Sequence, residues 1–231
     1  MIKELIKLLK KSNLYKEAHQ DACDMLNRAN NMFDNASARL RGRDIPHPDV
    51  DIYYEERKVD KTERIVRKKV LIHLAASGTA DSPVAINLIG IVIDIERVGD
   101  YTMNILELAR IANIELNAGV LDDDLSAIEL DIEHLFDVVT QSFEKSDKAS
   151  AESVVNKKLT GRCEVILHKL ITEDLGLDVQ TAVIAALYIR YLKRIAAHLL
   201  NIATALVQPF EKVRFMPESV TQKYEKKSEY E

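Results

Sequence analysis

Tryptophan is absent from this chain, glycine occurs only seven times and proline five times. So few chain-breaking residues leave little room for the turns that a sheet or a loop-built active site needs. No Asn-Gly or Asp-Gly pair occurs, and no segment alternates apolar and polar residues over strand length, which excludes a hairpin-built fold. Cysteine occurs twice, at Cys23 and Cys163, with no Cys-x-x-Cys pair. That excludes a disulfide framework, and the thiols read as small core residues of a protein in a reducing compartment. The longest apolar stretch, "PVAINLIGIVI", is about half of the ~20 residues that span a bilayer, and Asp94 ends it. "MIKELIKLLKK" lacks the uninterrupted apolar centre of a secretory signal. The expected location is cytoplasmic. Positive charge is not in excess: the net charge is −5 and the isoelectric point about 5.8, which argues against nucleic acid as a partner. Gly-x-Ser-x-Gly, Gly-x-Gly-x-x-Gly, the phosphate-cradling Gly-x-x-x-x-Gly-Lys-Ser/Thr loop and His-Glu-x-x-His are all missing, so no nucleophile or nucleotide site is indicated.

What remains is a helix-rich composition, 47% hydrophobic and 30% charged over 231 residues, enough for a sizeable core. Apolar residues recur at three- and four-residue spacing along most of the chain. A short amphipathic helix is expected over 1–12, with Ile2, Leu5, Ile6 and Leu9 on one side and lysines opposite. Such a segment can lie on an anionic membrane surface or fold back on the protein. Long helices follow at about 13–41, 49–78 (with Asp49 as its N-cap) and 81–117, the last with Pro83 in its first turn. A second set is expected at about 124–144, 147–174 and 178–207, before a polar tail at 209–231. The fold class is therefore all-α, two tandem three-helix bundles covering 13–118 and 122–208. "ERVGDYTMNI" (96–105) aligns without gaps to "KRIAAHLLNI" (193–202), which places the same motif on the last helix of each set and points to an internal repeat.

The acidic residues carry the sharpest signal. Glu56, Asp60 and Glu63 stand at i, i+4 and i+7 of the second helix, on one stripe. Glu96 and Asp100 share a face of the third, directly after the apolar run. Like charges at this spacing repel, and burying unpaired charge is costly. Either lysines and arginines of the same helices satisfy the acids, or a hard or borderline cation such as Fe, Mn, Mg or Zn bridges them between facing helices. A carboxylate-bridged metalloenzyme is the third reading, but its Glu-x-x-His signature is missing from both helices. The six histidines form no ligand cluster and read as structural.

The residues "ERKVDKTE" (56–63) and "DIERVGDYTMNIL" (94–106) resemble the two motifs of the PhoU family of phosphate-uptake regulators. Asp94, Glu96, Arg97, Gly99, Asp100, Asn104 and Ile105 fall in the family's pattern, and the six-helix layout agrees over about 13–207. The resemblance implies two three-helix bundles and a regulatory adaptor rather than an enzyme. It implies as partners a phosphate transporter (its ATPase, or a symporter) and a sensor kinase, with peripheral membrane association and a homodimer as the expected state. It implies a multinuclear iron or zinc cluster on Glu56, Asp60, Glu63, Glu96 and Asp100, with Arg97 orienting the acids and Gly99 letting a neighbouring helix approach. The alternative is a metal-free helical module that regulates another ion transporter. The second set departs from the motif: Lys193 and Ala197 stand where the acids should be, and Asn156 and Thr160 occupy the acidic positions of the preceding helix. Metal is therefore expected on the first set only, with Lys193 and Arg194 as a basic patch.

Overall fold

The computed structural model describes residues 14–77, 82–156 and 158–208. The expected helix at 1–12 and the tail at 209–231 lie outside the described residues. All regular elements described are helical: α1 (Leu14–Leu40), α2 (Ile52–Ser77), α3 (Ser82–Ala112), a 3₁₀ turn (Gly119–Leu121), α4 (Asp122–Lys145), α5 (Lys148–Val155), α6 (Leu159–Thr172) and α7 (Val179–Val207).

The spacing of small and apolar residues decides the arrangement. In α1, Ala18, Ala22, Met25, Leu26, Ala29, Phe33, Ala36 and Leu40 form one fully buried stripe, and its alanines let α2 and α3 approach closely. α3 is apolar almost all round because it has three neighbours: α1, α2 and α7. In the second half α7 contacts each of α4, α5 and α6. One contiguous hydrophobic core runs through both groups, and Phe33 of α1 meets Phe136 of α4 at 5.3 Å between ring centroids.

The seam between the halves is the α3–α7 pair, which runs antiparallel in one register. Asn87 donates to the Ala205 carbonyl at 3.0 Å, His198 meets Asp94 at 2.8 Å, Tyr101 faces Tyr191 at 6.3 Å, and Gln180 donates to the Ala112 carbonyl at 3.1 Å. The two aligned stretches, 96–105 and 193–202, therefore cross at the middle of this seam.

Three expectations about boundaries are corrected. α2 starts at Ile52 rather than near 49, and its cap is Asp51, whose Oδ1 accepts from Tyr54 N at 3.2 Å. α3 ends at Ala112 instead of continuing to about 117. Asn113 takes a left-handed φ of 50°, and Leu116 N bonds to the Leu40 carbonyl at 2.8 Å, tying the exit to the end of α1. The single helix expected at 147–174 is broken into α5 and α6, with Asn156 ending α5; Thr160 and Gly161 beyond the break are weak helix formers.

A buried ionic network fixes the first half to the second. The Arg41 side chain is 4% exposed; it forks onto Asp122 at 2.7 and 2.9 Å, donates to the Leu116 carbonyl at 2.7 Å and lies 3.1 Å from Glu129, which is 1% exposed and also pairs with Arg43. The Arg41 guanidinium holds the Asp122 carboxyl below its ordinary range.

Candidate metal centre

α2 and α3 lie side by side in the first group, so the stripes read from the sequence face each other. Ligand oxygens of Glu56, Asp60 and Asp100 lie within 4.8 Å of one another. All three side chains are partly exposed, so the cluster opens to solvent rather than being deeply buried as the neighbouring apolar run suggested. Glu96 and Glu63 are not part of that convergence. Glu96 sits at its edge, 3.5 Å from Arg97 Nε, and Glu63 is engaged by Arg67 at 3.0 Å. Arg97 also donates to Asp100 Oδ2 at 3.0 Å, so it partly neutralises Glu96 and Asp100. Gly99 does not mark a close approach: a Cβ there would stand 3.6 Å from Val59 Cγ1, an ordinary contact.

The electrostatics fit a site short of positive charge. Burial, and then the charges of Asp60 and Asp100, push the Glu56 carboxyl above its ordinary range. Burial also raises Asp100; Arg97 opposes this and Asp60 adds to it. Glu96 is raised by burial and by Asp100, against Arg97. In each case burial is the largest cause, and the neighbouring acids add to it. A hard or borderline divalent cation matches this donor set, which is all carboxylate oxygen, and Glu56, Asp60 and Asp100 are the residues that would hold it. The thiols cannot contribute: Cys23 and Cys163 are buried in the core, pushed up to about 12 and about 11.

The buried carboxylate of α3 is another one. Asp94 is 3% exposed, and its Oδ1 is met by His198 Nδ1 at 2.8 Å and by Asn201 Nδ2 at 3.1 Å, both from α7. Tyr101, adjacent to Asp100, stacks on His198 with centroids 5.8 Å apart. In the sequence Asp94 reads as the end of an apolar run. The signal that could have identified it is a lone acid on the buried stripe, with His198 and Asn201 on the aligned stretch of α7. In the second half, Lys193 pairs with Glu164 of α6, so the expected basic patch is partly neutralised from within.

Residues 1–109 match the model of the PhoU domain family, a span that contains every acid of the cluster. Among solved structures, PhoU from Pseudomonas aeruginosa matches with a TM-score of 0.64, covering 89% of this chain and 97% of that one at 19% identity, which is a likeness of fold. No curated protein matches the sequence. Residues 1–109 therefore carry the match to the PhoU domain, and the likeness of fold to PhoU extends over most of the chain.

Proposed function

We propose that this protein is a regulatory adaptor of phosphate transport and phosphate signalling, acting by binding rather than by catalysis, and that its first half holds a cation on Glu56, Asp60 and Asp100, with Glu96 at the edge. The PhoU domain match over residues 1–109, with the likeness of fold, supports the regulatory part. The observation that carries the cation part is the convergence of three carboxylates from two facing helices, two of them with raised proton affinity. Iron, zinc or manganese suits such oxygens, and the ion would neutralise charge that Arg97 leaves uncompensated. Its partners in this reading are a phosphate transporter component, either a transport ATPase or a symporter, and a sensor kinase. They would be met at the membrane from the cytoplasmic side, as the family resemblance implies; no described helix is long and apolar enough to cross a membrane. A homodimer is the expected assembly.

Two measurements test this. Elemental analysis of untagged protein should show stoichiometric metal that is lost in Asp60→Ala/Asp100→Ala at unchanged melting behaviour. Equal metal in both proteins, or none in either, overturns the cation part and leaves the acids as salt-bridge or partner-binding groups. Deleting the gene should raise phosphate uptake in phosphate-replete cells. Unchanged uptake overturns the regulatory part and favours a module acting on another ion transporter.

A further inference from the structure

A sizeable cleft lies away from the carboxylate cluster, at the far end of the first group. It encloses about 670 Å³ between the end of α1, the loop that follows it, the start of α2 and the end of α3. Its wall is apolar, with Val50, Ile52, Leu106 and Ala109 among its residues, and Arg39 and Arg110 complete it. Both arginines are exposed, and among the described residues neither forms an ion pair. The cleft therefore combines apolar surface with two free guanidinium groups in a chain whose net charge is −5. The one acid in its lining, Asp51, uses Oδ1 to cap α2.

The cleft is also built rather than collapsed. Asn35, 3% exposed, clamps the loop by accepting from His47 N at 3.0 Å and donating to His47 O at 2.7 Å, and Val50 N bonds to the same carbonyl at 3.0 Å. His47 is held a second time, by Asp34 at 3.1 Å. At the loop's start, Arg41 and Arg43 are anchored on Asp122 and Glu129. A pre-formed wall of this kind avoids much of the ordering cost of binding, and the volume falls within the range of small-ligand sites. The other two cleft regions lack this combination. One has its arginine, Arg28, already paired with Glu55, and the other is lined by Asp34, Asp44, Glu133 and Asp137.

We propose that this cleft binds a small organic anion, a phosphate or carboxylate on a flat apolar body, with Arg39 and Arg110 holding the anionic end and the Leu106–Ala109 side of α3 covering the apolar part. Guanidinium groups match both oxyanions in charge and geometry. The inference is independent of the cation site.

The test uses 1-naphthyl phosphate as probe, read by its fluorescence on the full-length protein, with inorganic phosphate and 1-naphthol as the separate halves. Saturable one-to-one binding is expected, tighter than either half alone, weakened as salt rises, and reduced roughly tenfold or more in Arg39→Gln/Arg110→Gln. Both arginines are exposed, so this variant should keep the wild-type melting temperature. Leu106→Asn should weaken the naphthyl probe while leaving inorganic phosphate unaffected. Absence of binding, binding equal in the double variant, or phosphate alone competing as well as the whole probe each overturns the proposal.

Discussion

Replacing Arg41 by methionine tests whether a buried charge network holds the two halves of this protein together. The substitution keeps most of the side-chain length and removes the guanidinium. Five contacts disappear: two to Asp122, one to the Leu116 carbonyl, one to Ser126 at 3.1 Å and the approach to Glu129. Asp122 is about one-third exposed and can turn to water. Glu129 cannot; at 1% exposure it keeps Arg43, which is itself 43% exposed, and the neighbouring buried Tyr188. Breaking a buried pair by removing one partner costs about 3–5 kcal/mol. For a chain of this size each kcal/mol moves the midpoint by roughly 2–4 °C, so the expected loss is roughly 6–20 °C in a thermal melt followed by circular dichroism. A double variant, Arg41→Met/Glu129→Leu, removes the stranded charge as well and should recover more than half of the loss, because an apolar replacement of both partners is often neutral or better. A single variant within ~1 kcal/mol of wild type, or a double variant less stable than the single, would refute the reasoning.

Four further outcomes follow from the same geometry. Gly99→Ala should stabilise by about 0.5–1 kcal/mol, since the position is mid-helix and its new Cβ meets only Val59 at ordinary distance; a loss in chemical denaturation would count against this. Asp100→Asn should stabilise the metal-free protein at pH 7, and the gain should vanish as pH falls through the ordinary carboxyl range. Asp100's proton affinity is raised in the folded state, so its ionised form is the one that opposes folding, and that opposition exists only above its pKa; a gain that grows with acidity would contradict the sign. His198→Phe should destabilise by about 1–3 kcal/mol, because Asp94 at 3% exposure loses its shortest partner, with Asp94→Asn in the same background restoring part of the loss in urea titrations. Arg97→Gln should tighten manganese binding several-fold at low salt in a calorimetric titration, because a cation no longer competes with the guanidinium for Asp100; weaker binding would show that Arg97 positions the acids instead.

The helices were legible because burial imposes a three-to-four-residue rhythm that survives in any sequence, and Glu56, Asp60 and Asp100 were legible because i, i+4 spacing places acids on one stripe before any partner is known. The break between α5 and α6 was not: Asn156, Thr160 and Gly161 each weaken a helix slightly, and which weak point yields depends on how α7 contacts the two pieces. Glu129 was visible in principle, since it sits between Leu125 and Ile132 on the buried stripe of α4, but its partner Arg41 reads only as the end of a helix. Asp94 with His198 joins residues 104 apart, and that pairing exists only through the antiparallel register of α3 on α7, which no local pattern specifies.

That register also bears on the proposed cation site, which is placed in one half and not in the other. The aligned stretches of α3 and α7 cross at mid-seam, so the two halves offer comparable positions, and their charges have diverged. On α7, Lys193 reaches Glu164 of α6, and the acid there has a protein cation as its partner, which holds its carboxyl below the ordinary range. On α3, Glu96 and Asp100 face Glu56 and Asp60 of α2, and the basic groups acting on them include Arg97, His198 on Asp100 and Arg57 on Glu56. Four acids then outnumber two arginines. Three of the four, Glu56, Glu96 and Asp100, are raised rather than lowered, although an arginine acts on each. Burial is the largest cause for each and neighbouring acids add to it, so the arginines do not offset the cost of ionising these side chains. In the proposed reading, an external cation supplies the charge that this carboxylate cluster, half open to solvent, can recruit without rebuilding the helices around it.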